Sequence, residues 1–149
     1  MTGKKRPFRL EQVLNLRRET EKTRMLEFAD ARQRLDGEAL RLQHDEESTE
    51  QVNGELLDKQ RQGMSALELQ LYADYLHKKG KDLKRQRKVV NDLGEEVDER
   101  RESLLDASKD KKALEKLKEQ KHAALRRELA EREQNFLDEI AITSRREKK

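Results

Sequence analysis

Residues 61–68, RQGMSALE, decide the fold, because they contain both a helix stop and a helix start. Gly63 can adopt the left-handed backbone conformation that closes a helix. Ser65 and Glu68 have the spacing of a capping box, in which each side chain satisfies a backbone N–H group at the start of a new helix. Two helices joined by so short a turn must run antiparallel. The stretch therefore predicts an α-helical hairpin.

The composition indicates a narrow apolar seam between long helices. Of the 149 residues, 45% are charged, 3% are aromatic and 32% are hydrophobic. A globular domain usually has about 45–50% apolar residues, so a thick core is excluded. We therefore expect an all-α protein, a long antiparallel two-helix coiled coil that forms a single elongated, stalk-like domain over residues 1–149.

The first helix is expected at about residues 8–61, after Pro7, whose fixed φ suits a helix start. Its apolar residues recur at steps of three and four, the spacing of a coiled-coil seam. They are Leu10, Leu14, Met25, Phe28, Leu35, Ala39, Leu42, Val52 and Leu56. Glu21, Arg32 and Glu46 fall on the same stripe and weaken it.

The second helix is expected at about residues 66–145, after a turn at about residues 62–65. Its expected seam consists of Leu69, Tyr72, Leu76, Leu83, Val90, Leu93, Val97, Leu104, Ala107, Leu114 and Leu117. The apolar pattern then shifts phase through Leu125 and Leu129 to Phe136 and Ile140. A hairpin folded at Gly63 places both chain ends at one tip, and leaves the segment from about Leu125 overhanging without an intramolecular partner.

The sequence contains no motif for catalysis, nucleotide binding or metal binding. The six glycines form no phosphate-binding loop, and the chain has no cysteine. His44, His77 and His122 have no second ligand at metal-binding spacing, so we expect no cofactor and no enzymatic activity. No apolar run is long enough for a membrane span or a signal peptide, which favours a cytoplasmic protein.

A basic run at residues 77–88, HKKGKDLKRQRK, has two interpretations. Most charge runs are solvated helix faces, but this one could also dock an acidic protein or a nucleic acid. Aromatic residues are absent from the run, which argues against binding to a single-stranded nucleic acid. The formal net charge of +3, from 35 basic and 32 acidic residues, is typical of a helical surface with many ion pairs.

Three stretches of the sequence resemble one protein family over nearly the whole chain. The first is FRLEQVLNLR at residues 8–17. The second lies around the turn and contains MSALE at 64–68 and YADYL at 72–76. The third lies in the C-terminal half and contains KKALEKLKE at 111–119, REQ at 132–134 and LDEIA at 137–141. In order, spacing and total length they resemble FliJ, the flagellar export protein family.

The resemblance implies a component of the flagellar type III export apparatus at the cytoplasmic base of the flagellum, associated peripherally with the inner membrane. Members of the family are antiparallel coiled coils similar to the stalk of rotary ATPases. Their joined ends enter the pore of the hexameric export ATPase, promote assembly of that ring and couple it to the export gate. Family members also escort export chaperones. A monomer without nucleic acid is expected.

The resemblance also implies contact residues by position. A strip that contacts the cytoplasmic domain of the export gate would run through Tyr75, Lys79, Asp82 and Gln86. The family's aromatic residue is retained at Tyr75, whereas Lys79 and Asp82 replace apolar and small residues. The residues expected by position to contact the ATPase ring are Arg17, Glu133, Gln134 and Asp138. Phe136 and Ile140 are expected to contact it as well, because they are apolar residues of the overhanging segment.

Three other functions are compatible with the sequence. A YscO-like stalk of a virulence-type secretion system shares the architecture, although the LDEIA ending favours the flagellar branch. A generic coiled-coil scaffold would form a parallel homodimer, which cross-links between equivalent positions would reveal. A coiled coil associated with nucleic acid would show salt-sensitive binding to a duplex or to RNA.

Overall fold

The structure is a computed structural model that describes residues 8–147. It contains helix α1 (Glu11–Gln62) and helix α2 (Ala66–Glu147), and no strand occurs in the described part of the chain. The two helices pack against each other, which confirms the predicted all-α hairpin. Pro7 lies outside the described residues. Helix α1 starts three residues later than expected, because residues 8–10 form a turn in which the Glu11 N–H donates to the Phe8 carbonyl at 3.0 Å.

The turn has the left-handed glycine and the Ser65 half of the capping box that the sequence predicts. Gly63 has a φ of 96°, and no other residue of the described range has a positive φ. Ser65 Oγ accepts a hydrogen bond from the Glu68 N–H at 3.2 Å, which satisfies one of the free donors at the start of α2. The chain therefore reverses at Gly63, and α1 remains helical through Asn53 and Gly54.

Two glycine substitutions should have opposite effects on stability. Gly63→Ala is expected to destabilise the protein by about 1–2 kcal/mol, because a side chain strains a left-handed backbone. Gly54→Ala is expected to stabilise it by about 1 kcal/mol, since Gly54 is helical and nothing lies within 4 Å of the added Cβ. Urea unfolding monitored by circular dichroism measures both changes, and stabilisation by Gly63→Ala would contradict the turn geometry.

The helices form two compact units, to which each helix contributes. The turn unit is Thr23–Leu105, and the terminal unit is Met1–Lys22 with Asp106–Lys149, of which residues 8–22 and 106–147 are described. The terminal unit therefore contains both ends of the described chain, as a hairpin folded at Gly63 requires.

The turn unit has a seam that repeats every seven residues. On α1 its side chains are buried or half-buried at Phe28, Leu35, Leu42, Thr49 and Leu56. On α2 the corresponding residues are Leu76, Leu83, Val90, Val97 and Leu104. A seven-residue repeat keeps these positions on the contact face of two supercoiled helices.

The terminal unit continues the same spacing with more charge. Leu14 is fully buried on α1, and Glu21, seven residues later, is half-buried. On α2, Lys111 and Lys118 alternate with the apolar seam residues Ala107, Leu114 and Leu125. Their aliphatic stems can cover the seam while the ammonium groups reach its edge.

The predicted seam was wrong at three positions and left out others, among them Ala31 and Thr49. Met25, Leu69 and Leu117 are 51%, 40% and 37% exposed, whereas Ala31, which the prediction left out, is fully buried. Arg24 is half-buried in the seam next to the exposed Met25, and Lys118 is half-buried in the seam next to the exposed Leu117. Of the charged residues expected on the first stripe, Glu21 and Glu46 are half-buried and Arg32 is exposed.

Candidate partner-binding surfaces

Ion pairs join the helices of the terminal unit across the seam. Lys118 Nζ lies 2.8 Å from a carboxylate oxygen of Glu11, and Lys111 Nζ lies 2.9 Å from Glu21 Oε1. The hydrogen bond from Lys111 lowers the pKa of Glu21 below its ordinary value. Residues near the start of α1 thus pair with residues far along α2, which is the antiparallel arrangement.

Similar polar pairs cross the seam of the turn unit. Arg34 donates two hydrogen bonds to Glu96, at 2.8 and 3.3 Å, and these bonds lower the pKa of that carboxyl group. Gln86 Nε2 donates to Asp45 Oδ2 at 2.6 Å. The two parallel hydrogen bonds between Arg34 and Glu96 require a defined orientation of both side chains. The pairs therefore help to fix the register in which α1 and α2 associate.

The C-terminal part of α2 is not covered by any other part of the chain that the structure describes. Every residue from 126 to 147 is exposed, which confirms the expected overhang. We call this segment the overhang; its 22 residues extend over about 33 Å of helix. Its large apolar side chains are between 49% and 61% exposed, and they are Leu129, Phe136, Leu137, Ile140 and Ile142.

The apolar stripe of the overhang does not continue the hairpin seam. Seven-residue steps from Leu125 lead to Arg132 and Glu139, both charged and exposed. The apolar side chains instead follow Leu129, Phe136 and Ile140, at steps of seven and four residues that keep them on one helix face. This face lies beyond the point at which α1 starts, so the described residues of α1 do not cover it.

The residues expected to contact the ATPase ring do not form one surface. Phe136 and Ile140 share an exposed face of the overhang, whereas Gln134 Nε2 donates a hydrogen bond to Asp138 Oδ1 at 3.1 Å. Positions two residues apart on a helix do not face each other, so the two pairs point in different directions.

Arg17 and Glu133 occupy separate places in the terminal unit. Arg17 lies on α1, where its guanidinium group is 3.7 Å from the Asp110 carboxylate. Glu133 is exposed on the overhang, one helical turn from Phe136. Leu137 and Ile142 are also exposed on the overhang, but the sequence prediction did not name them as candidate contact residues. Both are large apolar residues beyond the expected end of the hairpin, and this position would have been enough to select them.

The strip expected to contact the export gate is partly engaged within the hairpin. Lys79, Asp82 and Gln86 are half-buried, and Gln86 holds the seam hydrogen bond to Asp45. Tyr75 is 43% exposed, and the Lys79 ammonium group lies 5.8 Å from the centre of its ring. Tyr75 is therefore the most accessible member of this strip.

No candidate metal centre occurs among the residues that the structure describes. Within residues 8–147, no group of three or more histidine, aspartate or glutamate side chains is placed to hold a metal ion. The cavity at the start of α1, about 560 Å³, is lined by Phe8, Arg9, Lys121, His122, Ala124, Leu125 and Glu128. Lys121 places its ammonium group 5.4 Å from the centre of the Phe8 ring, so the aromatic side chain packs under a cation.

These observations define an antiparallel coiled-coil hairpin with an exposed helical extension at its terminal unit. Over residues 5–149 the chain matches the family model described as "Flagellar FliJ protein", and it therefore belongs to the FliJ family. Neither a curated protein sequence nor a solved structure matches the chain significantly.

Membership of this family makes the chain a component of the flagellar type III export machinery, and the family is non-catalytic. In the part of the chain that the structure describes, no helix is both long enough and apolar enough to cross a bilayer.

Proposed function

We propose that this protein is the stalk of the flagellar export ATPase. In this proposal the overhang enters the pore of the hexameric ATPase, promotes closure of the ring and links it to the export gate. The supporting observation is the helical overhang of residues 126–147, which is exposed at every position and has the apolar stripe of Leu129, Phe136 and Ile140. Exposed apolar side chains of this density on a charged helix are typical of a protein-binding surface.

The contact with the ring would combine the apolar stripe with the polar residues around it. Truncation of large apolar side chains at the centre of an interface usually has the largest effect on affinity, and the surrounding polar residues contribute less. Phe136 and Ile140 are therefore the proposed anchors. Glu133, Gln134 and Asp138 would form the polar rim, and Arg17 would contact the ring from α1.

The turn unit would provide the other contacts of the stalk. We place the export-gate contact on the strip of Tyr75, Lys79, Asp82 and Gln86, with Tyr75 as its accessible aromatic residue. Binding of export chaperones would complete the role in transport. The protein would have no enzymatic activity of its own and would work in the cytoplasm, at the inner-membrane surface of the flagellar base.

A monomer is the proposed oligomeric state. The seam of each unit is occupied by side chains of the same chain, including the Lys118–Glu11 and Arg34–Glu96 ion pairs. A parallel homodimer, as a generic scaffold would form, would have to give up these antiparallel pairs. Light scattering coupled to size-exclusion chromatography measures the mass directly.

The decisive experiment measures ATP hydrolysis by the cognate export ATPase with and without this protein. We expect a higher turnover rate and more closed hexamers in electron micrographs when the protein is present. An unchanged rate at saturating protein, with the helical content intact, would contradict the stalk function and would favour a scaffold or chaperone-docking role.

A further inference from the structure

The outward face of α2 in the turn unit has a concentrated positive charge. Residues 77–88 contain seven lysine or arginine side chains and one aspartate, which gives a net charge of +6 in a chain whose total is +3. The remaining residues together therefore carry a net charge of −3. Residues 77–88 therefore carry a net positive charge twice that of the whole chain.

The cations of this stretch are concentrated on the face turned away from α1. The side chains that face α1 here include Leu83, which is buried, and Gln86, which is half-buried. Every exposed side chain of residues 77–85 that points away from α1 is a histidine, a lysine or an arginine. Lys88 lies on the same face, one helical turn after Lys84. We call this face the basic strip; it consists of His77, Lys78, Lys81, Lys84, Arg85 and Lys88.

The lysines of the basic strip have no anionic partner within the described chain. Arg87 pairs with Glu46 at 3.1 Å, but it lies beside the strip. Arg85 approaches Asp82 only at 3.9 Å, and among residues 8–147 no carboxylate forms an ion pair with Lys81, Lys84 or Lys88.

We propose that the basic strip binds the anionic headgroups of a phospholipid membrane and lays α2 along the membrane surface. The strip is a convex face of a single helix about 17 Å long, which can contact a plane of phosphates but cannot enclose one phosphate group. It contains no aromatic or large apolar side chain, so the helix rests on the headgroups without inserting into the hydrocarbon.

The composition of the strip favours lipid over more directional partners. Four of its six residues are lysine, which acts as a flexible point charge, and only one is arginine. Base-specific recognition of a nucleic acid and docking to a folded acidic protein often use bidentate arginine contacts. A fluid anionic surface requires only accumulated charge, and each lysine close to it improves partitioning by about fivefold.

Co-sedimentation of the full-length protein with vesicles tests this binding. The vesicles contain phosphatidylcholine alone or phosphatidylcholine mixed with phosphatidylglycerol. We expect binding to the mixed vesicles that weakens as salt is added, and none to pure phosphatidylcholine. The variant with Lys81→Gln, Lys84→Gln and Lys88→Gln should lose roughly 100-fold in partition coefficient.

A matched control separates the basic strip from the total charge. The variant with Lys109→Gln, Lys112→Gln and Lys116→Gln removes the same charge from three exposed positions of α2 in the terminal unit, and it should bind as the wild type does. Equal losses in both variants, or no binding to anionic vesicles at low salt, would overturn the proposal. So would tighter binding of the strip to duplex DNA or to a poly-glutamate peptide than to the vesicles.

The same variants keep this inference separable from the stalk function. The basic strip contains no residue of the overhang, so the strip variant should stimulate the export ATPase in solution as well as the wild type does. Loss of stimulation together with loss of vesicle binding would contradict a lipid-specific role for the strip.

Discussion

The double variant Phe136→Ala with Ile140→Ala is expected to need at least a tenfold higher concentration than the wild type to stimulate the export ATPase half-maximally. Both side chains are exposed, at 61% and 49%, and share the stripe that we propose to enter the ring. Removing two large apolar anchors from the centre of an interface commonly costs about 2 kcal/mol each. Alanine has the highest helix propensity, so the overhang itself should remain helical.

A double variant of equal size provides the control. Leu26 and Leu40 are 72% and 68% exposed on α1, in the turn unit. Replacing both by alanine removes a similar apolar area outside the overhang and should leave the stimulation unchanged. Circular dichroism of both variants reports whether the helices are intact. Full stimulation by the Phe136/Ile140 variant would show that the stripe is not the ring contact.

The second large effect is expected at Leu14, the largest fully buried side chain of the described residues. Leu14→Ala removes methyl groups from the seam of the terminal unit and leaves a cavity, which typically costs about 2–5 kcal/mol. For a protein of this size, each kcal/mol shifts the melting temperature by roughly 2–4 °C. We therefore expect the midpoint of thermal unfolding to fall by about 10 °C in circular dichroism.

Leu16, two residues away, supplies the matched substitution for this test. It lies on the same helix and is 59% exposed, because a shift of two positions moves the side chain off the seam. Leu16→Ala should change the free energy of unfolding by no more than about 0.5 kcal/mol. Equal destabilisation by the two substitutions would mean that the seam does not run through Leu14.

The turn could be predicted from the sequence because its information is local. Gly63 supplies the positive φ, and Ser65 caps the helix that follows. Residues within one short stretch therefore determine where the chain reverses. The overhang followed from the same local signal, since a turn at Gly63 makes the second helix longer than the first. The overhang, which is the candidate site for binding a partner, could therefore be located from the difference in length between the two helices.

The seam could be predicted only in part, because its phase depends on both helices. Reading apolar residues alone placed Met25 and Leu117 in the seam and left out Ala31. In the structure, the strict seven-residue repeat decides which positions face the other helix, even where the residue is charged. Glu21 and Lys111 occupy such positions because each provides the counter-ion for the other.

The sequence by itself determined that this protein is an antiparallel helical hairpin whose second helix extends beyond the first, because turn chemistry and helix formation are encoded by neighbouring residues. The tertiary structure decided which polar side chains the hairpin engages and which it leaves accessible. Gln86 is half-buried and hydrogen-bonded to Asp45, whereas Lys81, Lys84 and Lys88 are exposed on the same helix. Residues of one basic run differ in this way because the position of the second helix fixes which face of α2 is covered.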